Sequence, residues 1–218
     1  MESFAGELVL VDWNPPPDRP PLREAADWNG LSIPVRIITV PSEIHQRFTH
    51  SKVLPIFEYV AKNVAIRHAR GEWILATNPD NTFIPPLSTR LEREQLHPNN
   101  LYRAQRHDLG PDGKVCFVRA PENAGGDFIL MHKDHWIRLQ GHPEAPSASN
   151  IDSAMIELAL HNGLNVVYWK DPLYHQFHER CGFENRPILD TDNILKFRSD
   201  TWGLANERLD VWESKSQS

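Results

Sequence analysis

Only two cysteines, Cys116 and Cys181, occur in 218 residues, too few for the disulfide framework that holds small secreted domains together. They are expected as plain buried or half-buried thiols. Long apolar runs are also missing. Stretches such as 7–11 and 71–76 break off far short of the roughly 20 residues that a membrane-spanning helix needs. The N-terminus has no basic segment followed by an apolar core and a small-residue cleavage site, so a cytoplasmic chain is expected. Positive charge is in deficit, with 23 Lys and Arg against 29 Asp and Glu, a net charge of −6 and a pI near 6.0. A surface that grips phosphate backbones would carry a basic stripe and a high pI, so no nucleic-acid partner is expected. A nucleotide ligand stays open, because a metal ion offsets phosphate charge locally. Neither G-x-G-x-x-G nor G-x-x-x-x-G-K-[ST] occurs, which counts against a dinucleotide dehydrogenase or a P-loop enzyme.

What is present is a globular composition, 40% hydrophobic and 24% charged, of a size that fits one domain. That domain is expected over 1–212, with 213–218 as a frayed tail. ELVLV at 7–11 reads as a buried strand, stopped by Asp12-Trp13-Asn14 and the prolines at 15–17, 20 and 21. A short helix is expected over 21–28. VRIITV at 35–40 is a second strand, rich in β-branched residues. Between 52 and 70 apolar residues recur at helical spacing, with Gly71 placed to cap the C-terminus. EWILAT at 72–77 is a third strand, and strand, helix, strand in this order favours a parallel sheet. Further strands are expected over 101–106, 114–119, 127–131 and 164–169. Helices are expected over 133–139 and from Asn150 or Asp152 to Gly163.

In open α/β sheets, ligands bind beyond the carboxyl ends of the strands. Asp12 closes the first strand and Asp80 follows the third, and a carboxylate so placed suits a hard cation that in turn holds a diphosphate. The competing reading is that Asn78 and Asp80 only build an Asx turn. His175 and His178 follow the last strand by a few residues, and imidazoles complete metal sites when carboxylates are few; either ring is equally open to a structural role. Asp152 at a helix start is explained by capping alone, and the ionisation that the helix dipole favours there also suits a general base if the helix start opens on the crevice. Gly125 and Gly126 ahead of Asp127 permit close approach of a ligand, or simply a tight turn. Among seven tryptophans, Trp13, Trp28, Trp136 and Trp202 are candidates for stacking on sugars, with core packing as the alternative.

Taken in order, ELVLVDWN, AKNVAIRHARGEWILATNPDNTF, GGDFILMHKDHWIRLQGHPE and IDSAMIELALHNGLNVVYW resemble the family 2 glycosyltransferases of GT-A type over residues 7–178. The resemblance implies a GT-A-like α/β fold, a mixed and mainly parallel sheet flanked by helices. It makes Asp12, Asn63, Asn78 and Asp80 donor-binding and Gly125, Gly126, Asp127 and Trp136 acceptor-side. Asp152 becomes the base, and Mn2+ or Mg2+ is held by Asp80 with His175 or His178. Three departures stand out. The metal motif reads Asn78-Pro79-Asp80, so one carboxylate has become an amide. Ile151 precedes Asp152 where a Glu is usual. Six residues precede the first strand where the family has a further strand and helix, so an exposed sheet edge is expected that would favour pairing with another chain.

The implied activity is metal-assisted, inverting transfer of a hexose from a nucleoside diphosphate sugar to an acceptor hydroxyl. The alternative is a catalytically silent GT-A-fold binding domain. A sugar-phosphate nucleotidyltransferase ranks third, because the glycine-rich basic loop of that class is lacking.

Overall fold

The computed structural model describes residues 6–120, 122, 126–146, 150–179 and 190–214. Two sheets carry the chain. The first joins β1 (Leu8–Trp13), β2 (Val35–Val40) and β9 (Asp210–Glu213) in the order β1-β2-β9. The second runs β3-β7-β5-β8-β4, from β3 (Trp73–Thr77), β7 (Phe128–His132), β5 (Asn100–Leu109), β8 (Asn165–His175) and β4 (Asn81–Thr82). A hairpin strand, β6 (Val115–Arg119), pairs with the outer half of β5. The helices are α1 (Ser42–His45), α2 (Glu58–His68), α3 (Leu87–Arg93), α4 (Lys133–Leu139), α5 (Ile151–His161) and α6 (Thr191–Leu195). No helix of the described residues is long and apolar enough to cross a membrane.

The α/β class and the mixed sheet agree with the sequence reading, but the sheets are not mainly parallel. Among the described residues only β1–β2 and β5–β8 are parallel ladders, against five antiparallel ones. The reason is β7, which runs between β3 and β5 antiparallel to both. β3, β5 and β8 therefore still point the same way, and their carboxyl ends open on one side of the sheet.

The core follows from the apolar strands. β7, Phe128 to Met131, is buried on both faces, and Ile74, Leu101, Ile129, Met131, Trp136, Met155 and Trp202 share one cluster with α4 and α5. Trp13, Ile38, Val40, Phe57, Val60 and Val64 form a second cluster between β1, β2 and α2.

Several local expectations change. The helix expected from residue 52 begins at Glu58. Pro55 disfavours helical backbone in the residue before it, and Val53 lies exposed. Gly71 is no left-handed cap, since α2 ends at Ala69 in extended conformation. Two short 3-10 turns, Leu22–Glu24 and Trp28–Gly30, replace the helix expected over 21–28. Glu213, expected in a frayed tail, ends β9 opposite Arg36. The nearly buried Arg36 guanidinium meets Glu7 at 3.1 Å and Glu213 at 3.0 Å, and donates to the His68 carbonyl. β9 thus covers the outer edge of β2. Cys116 is an exposed free thiol, and Cys181 lies outside the described residues.

The change that matters most for the site is in β8. It was expected to stop at Trp169, yet it continues through Pro172 to His175. The ladder to β5 shifts register there: Trp169 faces Ala104, Pro172 faces Gln105, and Lys170 and Asp171 bulge out between them. A proline has no N–H to give a ladder, and a bulge is where a sheet accepts it. Beyond the bulge, His175 lies directly opposite Asp108 on one side and Asn81 on the other.

Candidate metal and donor site

The turn after β3 crosses to β4 and carries Asp80 over the ends of the strands. Asp80 Oδ2 lies 3.2 Å from His175 Nε2 and 3.1 Å from His178 Nε2, and one ligand atom from each of the three falls within 4.8 Å of the others. Two ligand atoms each about 2.1 Å from an ion, at right angles, are themselves about 3 Å apart, so this spacing suits a divalent metal. Beside it, Asn78 Oδ1 and Asn81 Oδ1 are buried with no hydrogen-bond partner among the described residues, and Asp80 Oδ1 has none outside its own residue. Unsatisfied buried oxygens are rare because each forfeits its hydration; a cation satisfies them. Burial alone would raise the Asp80 pKa, but the hydrogen bond and charge of His175, its own backbone and the charge of His178 outweigh that and hold it below the usual value.

A second layer closes around this cluster. His175 Nδ1 is 3.2 Å from Asp108 Oδ1. Asp108 accepts from Arg106 Nε at 2.5 Å and from Arg119 Nε at 2.9 Å. Burial pushes the Asp108 pKa up, and these two guanidinium groups bring it below the ordinary value. Arg106 Nη1 also donates to Asp127 Oδ2 at 2.6 Å, and Asn78 Nδ2 donates to Asp127 Oδ1 at 2.9 Å. The chain of contacts therefore returns to the turn it started from: Asp80, His175, Asp108, Arg106, Asp127, Asn78. Asn81 Nδ2 and Thr77 Oγ1 both donate to the Asp127 carbonyl, and Gln176 N donates to the Asp80 carbonyl at 2.8 Å.

This ring accounts for an amide, not a carboxylate, at position 78. Asp127 is only 2% exposed, and its Oδ1 accepts a hydrogen bond from Asn78 Nδ2. A carboxylate at 78 would face it charge to charge. Asn78 is thus a strut for the turn, with its own Oδ1 left over.

Asp152 sits in the first turn of α5, half-buried. Asn150 ahead of it has a left-handed φ of 67° and makes no side-chain cap. The Asp152 charge is felt by two buried neighbours. Burial raises the Tyr59 pKa, and the charges of Asp152, Glu58 and Asp127 raise it further, so the phenol stays protonated. Burial lowers the Arg103 pKa, and Asp152 foremost pulls it back up. The charge of Asp152 thus reaches a buried arginine.

Other sequence candidates do not reach this centre. Trp136 is fully buried, with its indole N–H on the Ile74 carbonyl at 3.1 Å; it is a core residue, not an acceptor platform. Asn63 is fully buried too. Its amide donates to the His142 carbonyl and Glu144 Oε1, and its oxygen accepts from His142 N. It ties α2 to the segment after α4 and is closed to a donor. Asp12 stands at the end of β1, where Oδ2 accepts from Leu22 N at 2.9 Å and folds back the proline loop. Gly126 is buried; a Cβ there would come within 3.0 Å of the Tyr59 hydroxyl and 3.2 Å of Lys62 Nζ. Gly125 lies outside the described residues. Trp13 and Trp202 are buried.

Asp108, Arg106 and Arg119 were not anticipated. Arg106 and Arg119 end expected strands and Asp108 lies two residues past the expected end of the first, but no motif marks any of them; only the β5–β8 register places Asp108 at His175.

No protein-family model matches the sequence, and comparison with curated proteins gives no match either. Among solved structures the chain is similar to the catalytic domain of Drosophila beta1,4-galactosyltransferase 7 in complex with xylobiose. The two are 17% identical, with a TM-score of 0.43, over 69% of this chain and 64% of that one. The alignment thus spans somewhat less than two thirds of that domain.

Proposed function

We propose that the chain is a GT-A-like glycosyltransferase that moves a hexose from a nucleoside diphosphate sugar to an acceptor hydroxyl. The observation that carries this reading is the meeting of Asp80, His175 and His178 where β3 and β8 end. A carboxylate on a turn after a strand, completed by imidazoles from a later strand, suits a site for a diphosphate held through a cation. Asp80, His175 and His178 would hold Mn2+ or Mg2+, with Asn78 Oδ1 close by. When bound, such an ion supplies charge neutralisation for the departing diphosphate. Asp80 binds through an ionised carboxylate, and Arg106 and Arg119 fix the wall behind His175.

At the acceptor, Asp152 takes the hydroxyl proton as the oxygen attacks the anomeric carbon. The new carbon–oxygen bond forms on the face opposite the breaking bond to the diphosphate, so the configuration inverts.

The silent-domain alternative draws support from two placements: Asp12 is engaged with Leu22, and Asn63 is closed inside the core. One experiment separates the readings. Titration with UDP and GDP, with and without Mn2+, followed by a donor-hydrolysis assay, is run on wild type and Asp80→Ala. Metal-dependent binding and hydrolysis, both lost in Asp80→Ala, are expected. Binding without turnover in wild type would favour the silent domain, and turnover surviving in Asp80→Ala would remove Asp80 from the mechanism.

A further inference from the structure

We infer that Asp108 is a positioning residue for the metal ligand His175, fixing which ring nitrogen carries the proton. An imidazole binds a cation only through a nitrogen that has a free lone pair, and the other nitrogen decides which one that is. In His175 the two nitrogens face different carboxylates: Nε2 points to Asp80 Oδ2 and Nδ1 to Asp108 Oδ1, each at 3.2 Å. Asp108 does not belong to the candidate metal cluster, which comprises Asp80, His175 and His178. Held by Arg106 and Arg119, it is a fixed acceptor. With a cation bound, a proton kept on Nδ1 would donate to Asp108 and leave the Nε2 lone pair for the ion, in place of the hydrogen bond that Nε2 gives Asp80 Oδ2 in the metal-free chain. An acceptor behind a ligating histidine is a common outer layer of metal sites, where it sets ring orientation and raises ligand basicity.

The backbone supports the same role. Asp108 and His175 are register partners in the parallel β5–β8 ladder, so the contact does not depend on a loop. The bulge at Lys170 and Asp171 sets this pairing. Without those two extra residues the strand beyond would shift, and another side chain would stand at Asp108.

This inference rests on the reading of Asp80, His175 and His178 as metal ligands, and not on the transfer reaction. It is tested on the full chain with Mn2+ alone as the probe, following loss of the free-ion paramagnetic resonance signal, with and without UDP. Asp108→Asn keeps the side-chain shape and weakens the acceptor. Mn2+ affinity is expected to fall by about 10- to 100-fold in this variant, while its far-UV circular dichroism matches wild type. Binding within twofold of wild type would overturn the inference.

Because Asp108→Asn also loosens Arg106 and Arg119, a second measurement reads the tautomer directly. Histidine-15N spectra of the wild type with Zn2+ as diamagnetic probe, assigned by difference from His175→Gln, are expected to report Nδ1–H and a metal-bound Nε2. The opposite tautomer, or a His175 ring untouched by metal, overturns the inference whether or not the variant folds. Hexosyl transfer is not read in either assay. Wild-type transfer alongside unchanged Mn2+ affinity in Asp108→Asn would sink the role of Asp108 and leave the proposed function standing. The expected Mn2+ loss with no transfer would do the reverse.

Discussion

Replacing Asn78 by Asp would restore the second carboxylate usual in the metal motif of the resembled family, and the structure predicts that the metal-free protein is harmed by it. Asn78 Nδ2 donates to Asp127 Oδ1 at 2.9 Å, and Asp127 is almost wholly buried. In Asn78→Asp an oxygen replaces that nitrogen. Loss of a hydrogen bond to a charged group costs about 1.5–3 kcal/mol. Two charges at this distance would repel by about 6 kcal/mol at an effective dielectric of 20. Proton uptake limits that repulsion: holding one carboxyl of ordinary pKa near 4 neutral at pH 7 costs only about 4 kcal/mol. The variant is therefore expected to lose about 2–4 kcal/mol at pH 7.

The sign of the pH dependence follows from the same proton. A shared proton raises the folded-state pKa of the pair above its unfolded value. The folded variant then binds more protons than the unfolded chain, and its stability falls as pH rises above about 4, by at most about 1.4 kcal/mol per unit. Urea unfolding of wild type and variant at pH 5 and pH 7.5, without divalent metal, measures both effects. A gap that widens with pH is expected, and added Mn2+ should narrow it. A variant as stable as wild type at pH 7.5 without metal would refute the Asn78–Asp127 contact and the ring built on it.

Two further predictions concern the core. His142 is fully buried, its ring nitrogens have no partner among the described residues, and burial foremost, with Lys62 and Arg103, holds its pKa well below 6.5. The unfolded chain therefore takes up a proton near pH 6.5 that the folded chain refuses. Full stability lies above that pH and is lost as pH falls, by up to about 1.4 kcal/mol per unit. Urea midpoints of His142→Phe should gain on wild type between pH 7.5 and pH 5, and parallel curves would contradict the buried neutral ring. Trp136→Ala should cost about 3–5 kcal/mol and lower the melting temperature by on the order of 10 °C; a melting point within a few degrees of wild type would mean that the indole is not in the core.

The sequence shows much of the sheet. VRIITV, WILAT and FILMH became β2, β3 and β7 because β-branched and apolar runs of that length have few other ways to hide. It also marks Asp80, His175 and His178, since side chains just past strand ends converge in any open α/β sheet. Motif matching failed at Trp136 and Asn63 for a physical reason: it carries residue identity and order, but burial is a property of what packs around a side chain. Trp136 meets β3 through Ile74, and Asn63 meets His142, 79 residues away. Proline misled the reading of β8 in a similar way. Pro172 ends a strand by local rules, and only the partner strand can offer the bulge that lets it continue.

By itself, then, the sequence determined the α/β class, the main buried strands, and one carboxylate and two histidines at their ends. Only the tertiary structure decided that Asp108, Arg106, Asp127 and Asn78 stand behind those three. They come from β5, the start of β7 and the turn after β3; Arg106 and Asp108 meet two residues apart on one strand, and the other contacts exist because strand pairing brings distant segments to one place. Register depends on pairing between distant segments, so no local pattern in the chain encodes it.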